Sequence, residues 1–98
     1  MPSYRVELVV GAVSPGVDPG SIVPRAAAAA SEFTIVEASD VAVVAGQARV
    51  VVRFTESDAD VALQVGGHVA AMVGTVAHVP SYRVTERVGT RWNPVRPG

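Results

Sequence analysis

The sequence predicts one α+β domain built from a four-stranded antiparallel sheet with two helices on one of its faces. Three observations lead there. A chain of 98 residues matches one small domain and is too short to divide into two cores. Its composition, 49% hydrophobic and 17% charged, is that of a globular chain and not of a disordered polar one. Valine-rich segments with alternating pattern are interleaved with two segments of helical spacing.

The first strand is expected over Tyr4 to Ala12, with Tyr4, Val6, Leu8 and Val10 on one face and Arg5, Glu7 and Val9 on the other. Turn formers from Ser14 to Gly20 break it, and Asp18 before Pro19 reads as a helix cap. The alanine run Ala26 to Ala30 carries the first helix, which either kinks at Pro24 or begins there and ends near Glu32 or Phe33. A hairpin follows, from Thr34 to Ala45 and from Ala48 to Thr55, with a turn at Gly46-Gln47 and an irregularity around Glu37–Asp40.

Ser57 and Asp60 have capping-box spacing at the start of a second helix, whose apolar face is Ala62, Val65, Val69, Met72 and Val73. Gly66-Gly67 inside it suggests close approach to the alanine-rich first helix. A last strand is expected from Tyr82 to Arg87, with residues 90–98 as an extra strand or a flexible C-terminal tail in which Trp92 is anchored on the body. The order β-α-β-β-α-β is the ferredoxin-like layout, which hosts many unrelated activities and carries no function by itself. The expected core includes Val6, Leu8, Val10, Val50, Val52, Phe54, Val65, Val69 and Val73.

Composition removes several chemistries. The chain has no cysteine and no lysine, so thiol nucleophiles, Cys-ligated metals and Schiff bases are excluded. His68 and His78 have no metal-ligand spacing, and the acidic run Glu56, Asp58, Asp60 lacks the glycine and glutamate of a calcium loop. No nucleophile elbow, dinucleotide fingerprint or phosphate loop is present. The enzymatic reading therefore has no engine, and no metal or cofactor is implied.

The N-terminus lacks a basic stretch followed by an apolar one, and no apolar run is long enough to span a bilayer, so a cytoplasmic location away from membranes is expected.

The remaining clue is that the strands are apolar on both faces, with Val9, Val51 and either Val43 or Val44 expected on the helix-free side. This predicts a non-catalytic interaction module, homodimeric or binding another protein, with Val9, Val51, Arg49, Arg53, Glu7 and Trp92 at the interface. A different reading is a small-ligand or enzymatic site at His78 and Tyr82. A third is nucleic-acid binding through Arg83, Arg87, Arg91 and Arg96 with Trp92. It is disfavoured by a net charge of −1 and by central strands without an aromatic on the helix-free face.

Overall fold

The computed structural model describes residues 1–97. Five strands and two helices follow in the order β1 (Ser3–Val10), α1 (Ile22–Ser31), β2 (Ile35–Val44), β3 (Gln47–Thr55), α2 (Ala59–Gly74), β4 (Ser81–Val88) and β5 (Arg91–Pro94). All pairings are antiparallel, and the strands lie side by side as β2-β3-β1-β4-β5. The four-stranded ferredoxin-like sheet expected from the sequence is thus corrected to a five-stranded antiparallel one. The reason lies at Gly89, whose φ of +63° lets the chain reverse after β4. Arg91–Pro94 then pairs back as a short strand that Pro94 ends. Gly98, the last residue of the expected tail, lies outside the described residues.

Alternation sets the faces. Tyr4, Val6, Leu8 and Val10 of β1 sit in register with Phe54, Val52, Val50 and Ala48 of β3. These side chains meet Ile22, Ala26, Ala29 and Ala30 of α1 and Ala62, Val65, Val69 and Val73 of α2 in one core, so both helices cover the same face. All nine expected core residues are buried. Among the described residues no helix is long and apolar enough to cross a membrane.

The helix ends follow local chemistry. Asp18 Oδ1 accepts from the Gly20 N–H at 2.9 Å and opens a 3₁₀ turn, Pro19–Ser21, that leads into α1. Pro24 is the third residue of α1, where its missing N–H has no intrahelical partner to lose, so no kink results. Asp58, not Ser57, caps α2, accepting from the Asp60 N–H at 2.8 Å. Gly66 approaches the sheet and not α1: a Cβ there would collide with Val84 Cγ2 of β4. The β2–β3 turn is Ala45-Gly46, with φ of 52° and 78°, and the expected irregularity is a register shift between Val36 and Ala38 that leaves Glu37 as a bulge.

Candidate functional site

The helix-free face is built by the odd-numbered residues of β1, β3 and β4 and the side chains that pair with them. Arg5, Glu7 and Val9 lie between Arg53, Val51 and Arg49 on one side and Thr85, Arg83 and Ser81 on the other. β2 adds Ala38, Asp40, Ala42 and Val44 by its register with β3. β5 adds Trp92, which sits opposite Arg87.

Charge is arranged as a grid. Glu7 Oε1 lies 3.3 Å from Arg49 and 3.2 Å from Arg83, so one carboxylate serves guanidinium groups from both neighbouring strands. Glu37 turns onto this face at the bulge and meets Arg53 at 3.5 Å and the Ser3 hydroxyl at 2.8 Å. These pairs are partly exposed, and each contributes on the order of 0–1 kcal/mol to stability. Arg5 has no carboxylate within salt-bridge distance among the described residues. Its guanidinium instead lies 3.9 Å from the centre of the Trp92 ring, with that of Arg53 at 5.5 Å. Trp92 is half-buried there, and beneath the β5 pairing Thr85 is the only buried polar residue among those described.

The face carries Arg5, Arg49, Arg53, Arg83 and Arg87 against Glu7, Glu37 and Asp40. The rest of the chain has the opposite balance, with three arginines and six carboxylates. A shallow hollow of about 280 Å³ opens between Arg5, Arg53, Val51 and Asp40.

The structure therefore brings Val9, Val51, Arg49, Arg53, Glu7 and Trp92 together on one surface. Val9 and Val51 are half-buried between the charged side chains, so the face is a mixed surface and not an open apolar patch. Val44 belongs to it, whereas Val43 points to the helix side. Sequence reasoning missed Arg5 as the residue under Trp92, Arg83 as the second partner of Glu7, and Glu37 as a partner of Arg53. The spacing around Glu37 signals only an irregular strand, and its partner depends on the bulge.

His78 and Tyr82 line a different place, an open cleft of about 740 Å³ floored by Gly67, Ala70, Ala71 and Gly74 of α2. Its rim is held by backbone bonds, Gly11 N–H to His78 O at 2.7 Å and His78 N–H to Ala12 O at 2.8 Å. His68 bonds the Glu32 carboxylate at 2.8 Å through Nε2 and packs edge-on against Phe33, joining the middle of α2 to the C-terminal end of α1. Among the described residues no three histidines or carboxylates converge as a metal set. No family model matches this chain, and neither the characterised proteins nor the solved structures compared with it include a match.

Proposed function

We propose that this chain is a non-catalytic interaction module that holds a carboxylate-bearing protein partner on its helix-free sheet face. One observation carries the reading: the only tryptophan lies on that face, stacked on Arg5 and close to Arg53. Trp and Arg dominate binding energy at protein interfaces, whereas Lys, absent here, is depleted from them. Among the described residues Arg5 has no carboxylate within salt-bridge distance, and the hollow beside it gives an incoming side chain room. Nucleic acid is the weaker occupant. Sheets that read RNA stack bases on aromatics of the two central strands. Here β1 and β3 present Arg5, Glu7, Val9, Arg49, Val51 and Arg53, and Trp92 stands on an edge strand with one ring face already against Arg5.

Trp92 is its own reporter. Titration with an oligoglutamate peptide should give a saturable change in indole emission, weakened about tenfold or more by Arg5→Ser or Val51→Asp and screened by salt. A response to oligothymidylate alone, or to neither probe, would sink the protein-partner reading.

A further inference from the structure

Half of the large apolar side chains left exposed belong to one strand: Ile35, Val41, Val43 and Val44 of β2 are 72, 50, 75 and 45% exposed. β2 is the outermost strand on its side of the sheet, and α1 leaves Val41 and Val43 bare although they point to the helix side. The direction of its free backbone groups follows from the neighbouring ladder. One step beyond the Ser3–Thr55 pair, the Glu56 N–H donates to Pro2 O at 3.2 Å. Bonds in an antiparallel ladder recur every second residue, so even-numbered residues of β3 bond to β1 and odd-numbered ones to β2. The latter face Ala38, Asp40, Ala42 and Val44. The amides and carbonyls of Ser39, Val41 and Val43 consequently point out along the open edge. Asp40 Oδ1 takes the Val41 N–H at 2.8 Å, and no strand takes the others among the described residues.

Natural sheets blunt such edges with short strands, proline, charge or bulges. β5 does so at the opposite side, with four residues ending in Pro94. β2 carries its bulge and its carboxylates Glu37 and Asp40 before Val41, and from Val41 to Val44 it has neither charge nor proline.

We propose that a second copy of this chain pairs with this edge, the two β2 strands running antiparallel about a two-fold axis at Ala42. Outward-pointing residues then meet each other: Val41 of each copy bonds Val43 of the other, its N–H exchanging the Asp40 carboxylate for the partner's carbonyl. The four valines, Val41 and Val43 of each copy, gather on the helix side of the joined sheet, at the edge that α1 leaves uncovered. At the axis the two Ala42 residues face each other at a non-hydrogen-bonded position, where Cα atoms come within about 4.5 Å and a methyl group fits. An isologous contact needs a self-complementary surface, and Val41-Ala42-Val43 reads the same in both directions. A net charge of −1 adds little repulsion between copies. An unrelated extended peptide would satisfy the backbone but has no reason to match the valine spacing. The contact is small beside the roughly 1,600 Å² of a standard interface, so a Kd on the order of 10–100 µM is expected. Both helix-free faces end on the same side of the joined sheet, but the pairing does not depend on what those faces bind.

The absence of native cysteine makes the register testable. Under mild oxidation Ala42→Cys should give a covalent dimer, because cross-strand Cα atoms at the axis fall within disulfide range. Ala38→Cys, on the same strand and face but off the axis, should form no covalent dimer. In sedimentation velocity the parent chain should show a dimer fraction rising with concentration. Val43→Lys should raise the Kd at least about tenfold, with an unchanged circular dichroism spectrum because Val43 is exposed. Val41→Lys serves as the second edge variant, and Val51→Asp should leave the dimer intact. A parent chain monomeric up to about 1 mM, equal cross-linking of the two cysteine variants, or dissociation by Val51→Asp but by neither edge variant would overturn the proposal.

Discussion

Tyr4 links the core to the solvent through a single hydroxyl. Its ring is buried and stacks on Phe54 at 5.9 Å between centroids, while its O–H reaches Glu86 Oε2 at 3.5 Å. Burial, and then the Glu86 carboxylate, raise its pKa above the usual value of 10.0. The unfolded chain releases this proton near the ordinary value and the folded chain only at higher pH. Between the two the folded state holds more protons, so stability falls as pH rises above about 10. Tyr4→Phe should flatten that decline, read from urea midpoints across the alkaline range, at a cost of at most about 1 kcal/mol near neutrality because the lost hydrogen bond is long. The placement of Tyr4 on the core face is legible from alternation alone. The stacking of Trp92 on Arg5 is not, because it depends on which strands become neighbours and in what register. Ala45 is a second residue whose conformation the sequence conceals. It adopts a φ of 52° where a turn of this kind favours Asn or Gly. Ala45→Asn should therefore stabilise the hairpin, by about 0.5–1 kcal/mol in thermal or urea unfolding.

At the scale of elements, two adjacent glycines of α2 separate propensity from packing. Each costs about 1 kcal/mol against Ala in a helix interior. A Cβ on Gly66 would collide with Val84, whose side chain is buried in the core, whereas a Cβ on Gly67 would meet only the Tyr82 hydroxyl, at 3.4 Å. Gly66→Ala should thus destabilise the fold by about 1–3 kcal/mol through overpacking, and Val84→Ala in the same chain should recover part of the loss. Gly67→Ala should be neutral or stabilising by up to about 1 kcal/mol, since Tyr82 is exposed and its end can move. The sequence marks these glycines as a close approach but not the surface approached, because helical spacing gives a face and not its neighbour. For the same reason α1, α2 and the β2–β3 hairpin are legible as elements, each carrying its own periodicity and turn residues. β5 is legible only as one of two alternatives. Its four residues are too few to show alternation, and Pro94 argues against a strand until the pairing with β4 is known.

For the whole molecule, the question is whether β5 builds the fold or only covers a face. The buried apolar side chains come from β1, β3, β4, the two helices and Ala77 after α2, and β5 supplies none of them. Its contributions lie on the other side of the sheet, where Trp92 shields Arg5 and pairing with Pro94 covers Thr85. One further tie is the Val95 N–H, which donates to Val84 O at 2.9 Å. A domain of this size has a stability of about 5–10 kcal/mol. An exposed cation–π contact and the few backbone bonds of a four-residue edge ladder amount to about 2–4 kcal/mol of that. A chain ending at Gly89 should therefore still fold. Its urea transition, followed by far-UV circular dichroism because the tryptophan is gone, should stay cooperative, with a lower midpoint and a nearly unchanged slope. Retention of the transition would place the stability in the sheet and helices that share the core, and would make β5 an attachment that finishes the helix-free face. A broad or absent transition would instead show that β5 is needed to protect the β4 edge. The part of the sheet least legible in the sequence would then be one that the fold depends on.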